Sequence, residues 1–223
     1  ASRNETWRAA LAGEGGLHTL PPGLFPGAEE FAGGLPPLPV EPGAERTILY
    51  AVRAAREAAE DAGLPSSPPL LAETGCVFGC SKGGLISYES CAGKAARPLP
   101  DFIFNALPSM PAARVAQALG LGGPVMSEAA ACATGAVCVA RAAGFVQRGE
   151  CLAAIAGASD ASLCGLVLGS YRNAGALAET DPPETACRPF DRRRRGFIVG
   201  EGAAALVLER LDHRPERGGD RAG

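Results

Sequence analysis

Short apolar runs separated by helix-patterned stretches constrain this 223-residue chain more than any other feature. Four runs read as strands, at 75–80, 125–131, 153–157 and 203–209. Three of the four are apolar along their whole length rather than alternating, which is the pattern of strands covered on both faces. Between them, residues 46–62 place Ile48, Val52, Ala55, Ala59 and Ala62 at helical spacing, with Arg53, Arg56, Glu57 and Glu60 opposite and Gly63 as the stop. Pro111 opens a second helix that Gly120 closes, and a third helix, of small residues, spans 133–148 before Gly149. Strands alternating with helices predict a layered α/β fold.

The flanks read differently. Asn4 is a good N-cap for a short helix that Gly13 ends, with Trp7 and Leu11 inside it. Residues 20–45 carry Pro21, Pro22, Pro26, Pro36, Pro37, Pro39 and Pro42 and are expected to be an irregular connection. The tail, 213–223, is charged and glycine-rich and is expected to be mobile.

Composition excludes several classes. A formal charge of −3 argues against a polycationic nucleic-acid binder. No apolar run reaches the roughly 18 residues of a membrane span. Ala1–Glu5 has no apolar stretch, so no secretory leader is expected. The eight cysteines, at 76, 80, 91, 132, 138, 151, 164 and 187, form no Cys-x-x-Cys pair, and His18 and His213 are the only histidines. No metal site and no cofactor are expected; the cysteines read as reduced, mostly buried thiols of a cytoplasmic protein.

One cysteine stands apart. In Glu128-Ala129-Ala130-Ala131-Cys132-Ala133-Thr134-Gly135, an extended run meets the start of a small-residue helix. The first-turn N–H groups and the positive helix end then face the sulfur, which favours thiolate and makes Cys132 a candidate nucleophile. Ala131, Ala133 and Gly135 leave room for an acyl group. A buried structural cysteine is the competing reading of the local pattern.

A second segment extends the argument: Cys187-Arg188-Pro189-Phe190-Asp191-Arg192-Arg193-Arg194-Arg195-Gly196-Phe197-Ile198-Val199-Gly200-Glu201-Gly202-Ala203-Ala204. Together the two stretches closely resemble the β-ketoacyl-acyl-carrier-protein synthases, the condensing enzymes of fatty acid and polyketide synthesis. The stretches 55–64, 79–85 and 118–124 match that family in order, so the resemblance runs from Thr6 to Gly218. It implies a thiolase-like fold, a layered α/β/α arrangement around a mixed five-stranded sheet. The chain 1–223 would be its N-terminal half, with the first strand missing. It also implies a two-stage reaction, in which Cys132 takes an acyl group from acyl-carrier protein and malonyl-carrier protein then condenses with loss of carbon dioxide. The Cys132 N–H would supply one oxyanion donor. In the family, two histidines, a lysine and a glycine-rich loop of the second half supply the rest, so the chain is expected to be incomplete alone. Phe197, with Ala133 and Gly135, would line the acyl site; Glu201, Gly200, Gly202, Arg188 and Asp191 would be structural near it.

Further expectations concern single residues. Strand alternation would put Glu128 on the side of Cys132, where a carboxylate would raise the thiol pKa; the competing reading pairs Glu128 with an arginine at a subunit interface. The run Arg192–Arg195 is either a solvated loop, with Arg195 or Asp191 in internal ion pairs, or a landing patch for acidic carrier protein. Gly200 and Gly202 are expected to be needed for a tight backbone path. Lys82 sits in a glycine turn without phosphate-loop spacing. A homo- or heterodimer through the 125–131 strand is implied by the family. The alternative function is a non-catalytic synthase-like partner subunit, whose relatives typically replace the nucleophile. A Rossmann domain is disfavoured by the lack of its glycine fingerprint.

Overall fold

A computed structural model of the chain describes residues 2–21, 25, 28, 30–38, 45–64, 68–91, 101–178 and 182–211. In chain order the elements begin with α1 (Arg3–Ala12), β1 (Leu17–Thr19), β2 (Ala32–Gly34), α2 (Arg46–Asp61), α3 (Pro68–Ala72) and β3 (Thr74–Cys80). They continue with α4 (Leu85–Cys91), α5 (Phe102–Ala106), α6 (Met110–Leu119), β4 (Val125–Met126) and α7 (Thr134–Gln147). The last are β5 (Ala153–Asp160), α8 (Gly165–Asn173), α9 (Pro183–Ala186) and β6 (Gly202–Glu209). The chain divides into two compact units, one of 1–44, 85–97 and 161–202, the other of 45–84, 98–160 and 203–223.

The second unit holds a sheet ordered β4-β3-β5-β6. Strand β3 pairs in parallel with both β4 and β5, in the register Cys76↔Val125 and Thr74↔Ala153 through Cys80↔Ser159. All seven residues of β3 are buried, as an apolar strand covered on both faces requires. Its alternation feeds two cores. Cys76 and Phe78 join Ile155 under α2 and α6, with Ala51, Ala55, Ala59 and Val115. Val77 points the other way, to Cys138, Ala142, Phe145 and Val146 of α7. Strand β6 splits likewise, Ala205 and Val207 packing on the first cluster and Leu208 on the second.

The first unit has its own core of Leu20, Phe25, Phe31, Leu163, Leu168 and Val199. Strands β1 and β2 form an antiparallel pair in which His18 faces Gly33. The expected irregular connection 20–45 is therefore interrupted by β2; much of the rest, like the tail 213–223, lies outside the described residues. Helix α1 buries none of its residues, and its N-cap is Ser2 rather than Asn4, because Ser2 and Glu5 close a reciprocal capping box.

Two further expectations change. The 125–131 run is a strand only at Val125–Met126, because the chain then leaves the sheet towards α7. Gly200 and Gly202 are not sterically demanded: a Cβ on Gly200 would come no closer than 3.7 Å to anything, and one on Gly202 would meet nothing within 4 Å. Residues 199–201 simply run beside β2, with the Gly34 N–H donating to the Val199 carbonyl and the Glu201 N–H to that of Gly34.

Phe78 is fully buried, and its ring lies against Gly157 of β5, where a Cβ would sit 2.4 Å from Phe78 Cε2. Phe78→Ala should therefore lower the unfolding free energy by about 3–5 kcal/mol, measured by urea titration.

Candidate functional site

The connection from β4 to α7 is built from alanines held in unusual backbone geometry. Ala130 has φ −139° and ψ 40°. Ala131 then adopts φ +48°, in the left-handed region that an L side chain resists. A short 3-10 turn, Ala131–Ala133, follows and runs directly into α7. Cys132 is the middle residue of that turn and its side chain is exposed. The small-residue helix begins at Thr134, one residue later than the pattern implied, with the short turn before it.

Thr134 holds this elbow. Its hydroxyl donates to the Ala131 carbonyl at 2.7 Å and accepts the Ala130 N–H at 2.9 Å, while the Ala133 N–H donates to the Ala130 carbonyl at 3.0 Å. The threonine is itself buried, so these bonds are shielded from its side although Ala131 is exposed. Beneath it, Gly79 of β3 has no room for a side chain. A Cβ there would lie 2.3 Å from the Glu128 carbonyl oxygen and 2.5 Å from Thr134 Cγ2. Sequence reasoning missed both supports. The visible signal for the first was a threonine at the helix start; nothing local marked the second.

Glu128 does not share a strand face with Cys132, because residues 127–130 are not extended sheet. Its carboxylate pairs with Arg141 of α7, within the same chain, at 3.1 Å. Burial, then the nearby Glu128 charge, pushes the Cys138 thiol up to about 11, and burial pushes Cys76 up to about 12. Cys80 and Cys151 are raised by the same cause. All eight cysteines are free, and only Cys132 and Cys187 are exposed. Of these two, Cys132 alone sits on a strained turn at a helix start. Gly135, the second residue of α7, borders an apolar recess of about 200 Å³ with Val139, Ala156 and Leu206.

The other sequence-predicted residues belong to the first unit. Phe197 packs edge-on against Tyr171, ring centroids 5.3 Å apart, and borders a recess of about 280 Å³ with Phe31, Arg172 and Ile198. Glu201 accepts the Leu163 N–H at 3.0 Å, which fixes the chain where it enters α8. The Arg188 carbonyl accepts the Asp191 N–H at 3.3 Å. The Asp191 carboxylate accepts the Arg193 N–H at 2.7 Å, and that bond, with the Arg193 side chain, holds its carboxyl below the ordinary value. The internal ion pair of the arginine run is thus Asp191 with Arg193, not Arg195, at 3.5 Å. All four arginines are exposed, and Phe190, with φ +64°, is almost wholly so. Cys132, Ala133 and Gly135 therefore lie in one unit, and Phe197, Arg188, Asp191, Gly200 and Glu201 in the other.

Residues 42–214 match the model of the beta-ketoacyl synthase N-terminal domain. A 3-oxoacyl-[acyl-carrier-protein] synthase 2 of Staphylococcus aureus is 36% identical over 179 residues, 78% of this chain and 44% of that protein. The chloroplastic synthase I of Hordeum vulgare is 35% identical over 181 residues, 76% of this chain and 39% of that protein. Among solved structures, a beta-ketoacyl synthase of Burkholderia phymatum superimposes with a TM-score of 0.82 at 25% identity, over 97% of this chain and 57% of that one. A type II polyketide ketosynthase, solved in complex with its acyl-carrier protein, gives 0.86 at 25% identity, over 99% and 57%. The chain thus spans about half the length of the relatives it matches.

Thr134→Val keeps the shape of the side chain and removes both elbow bonds. It should cost about 1–3 kcal/mol and slow the alkylation of Cys132 by iodoacetamide, read by peptide mass spectrometry. An unchanged rate would mean the hydroxyl does not hold the turn.

Proposed function

Since the chain belongs to the beta-ketoacyl synthase family and has its thiolase-like fold, we propose that it is the nucleophile-bearing part of a 3-oxoacyl-acyl-carrier-protein synthase. The observation that carries the reading is Cys132, an exposed thiol turned outward by a strained, hydrogen-bonded elbow at the start of α7. The Cys132 sulfur attacks the acyl thioester of a carrier protein. The carrier's thiol leaves with the proton, and the acyl group stays on Cys132 as a new thioester. A malonyl-carrier thioester then loses carbon dioxide. The carbanion attacks the Cys132 thioester, the cysteine thiolate departs, and a 3-oxoacyl chain remains on the carrier. The Cys132 N–H supports the oxyanion of both tetrahedral intermediates.

Small residues around the sulfur, Ala133 and Gly135 among them, are consistent with approach of an acyl thioester, and Phe197 is assigned to the wall of the acyl site. The acid-base groups of the decarboxylating step are assigned to the remainder of a full-length synthase. The enzyme works in the cytoplasm, consistent with eight free cysteines, and no helix among the described residues is long and apolar enough to cross a membrane. It works as a dimer through the edge strand β4, whose Val125 and Met126 are both exposed. The exposed cysteine favours this reading over a non-catalytic partner subunit.

Incubating the complete synthase with an acyl-carrier thioester should add one acyl group to the peptide carrying Cys132, and Cys132→Ala should abolish the addition. Acylation that persists in that variant would refute the assignment. The four arginines, all exposed, form the landing patch for the acidic carrier. Neutralising Arg192, Arg194 and Arg195 to glutamine should raise the carrier Kd and flatten its dependence on salt, measured by titration at several ionic strengths.

A further inference from the structure

The backbone ladder between β3 and β5 ends at the pair Cys80↔Ser159. The next residues outward, Ser81 and Asp160, are joined by side chains instead. The Ser81 hydroxyl donates to the Asp160 carboxylate. The Lys82 ammonium caps the two, 2.7 Å from Ser81 Oγ and 3.2 Å from Asp160 Oδ2. Lys82 is one of two lysines among 21 basic residues, the other nineteen being arginine. A compact ammonium can be shared between a hydroxyl and a carboxylate in the width of two neighbouring strands, where a planar guanidinium needs a wider seat.

Directly inward of this tie stands the elbow. Gly79, two residues before Ser81, lies against the Glu128 carbonyl and the Thr134 methyl without space for a Cβ. A Cβ on Gly135 would lie 3.6 Å from that of Ala158, two residues before Asp160. The turn that carries Cys132 and the start of α7 therefore rest on Gly79 and Ala158, the ladder pair next to the last. Contacts this close transmit any splaying of the strand ends to Thr134, the residue whose hydroxyl fixes Ala130 and Ala131.

We propose that Ser81, Lys82 and Asp160 form a positioning tie for Cys132, closing the ends of β3 and β5 at the spacing that the elbow needs. They act through Gly79 and Thr134 rather than on the reacting atoms. The consequence for acyl transfer rests on the ketosynthase reading; the hold on the sulfur does not.

The test is peptide-resolved iodoacetamide alkylation of the intact chain, with exposed Cys187 as the internal reference and buried Cys76 and Cys138 as monitors of the core. Lys82→Met and Asp160→Asn should each lower the Cys132 rate relative to Cys187 roughly ten-fold. The double variant should be no slower than the worse single, since both remove one interaction. Cys76 and Cys138 should stay unlabelled and the unfolding midpoint within about 4 °C, because a partly exposed ion pair adds little to global stability. An unchanged ratio in both single variants, additive losses in the double, or labelling of the buried thiols in both would overturn the proposal. In the complete synthase the same variants should lower kcat and leave KM for the acyl carrier nearly unchanged. A wild-type protein that accepts no acyl group while the ratio still falls would sink the ketosynthase reading and leave the tie standing.

Discussion

Two strands buried on both faces can satisfy their peptide groups only through their neighbours, and that requirement fixes most of this protein. Strands β3 and β5 run in parallel over seven residue pairs with helices above and below them. An orphaned N–H or carbonyl at this depth would cost as much as a lost hydrogen bond. The pairing therefore sets the register, the register sets which side chains meet α2 and α6 or α7, and both strands end at the same edge. In parallel sheets that edge is where loops gather and chemistry is placed.

Glycine at two points makes the edge usable. Gly157 lets the Phe78 ring lie against β5, and Gly79 lets the Glu128 carbonyl and Thr134 come down onto β3. The elbow is thus seated on backbone rather than on side chains, which gives it a stiff floor. Strain at Ala131 persists because Thr134 bonds the residues on either side of that peptide.

Much of this was legible in the residues, for local reasons. The apolar runs announce β3 and β5, and the spacing of Ile48, Val52, Ala55, Ala59 and Ala62 with charges opposite announces α2, although the fully buried stripe runs through Ala51, Ala55 and Ala59. The cysteine before a helix of small residues announces the turn. What failed to show was non-local or conformational. Continued from Val125 and Met126, the small residues after them read as more of the same extended run, yet 127–131 turns away, its backbone held by a hydroxyl several residues later. The partners Ser81 and Asp160 are 79 residues apart in sequence, so no pattern could join them. Glu128 found Arg141 thirteen residues on, across a break in regular structure that alternation could not foresee.

Ala131 carries one more implication. Glycine would accept the same left-handed angles without steric protest, but it would also sample many more shapes whenever the turn came undone. A methyl group narrows that wandering but weights it against these angles, so the loop that presents the sulfur keeps its shape only while the Thr134 clasp is closed. The discomfort of a single alanine thereby ties the pose of the sulfur to one hydroxyl.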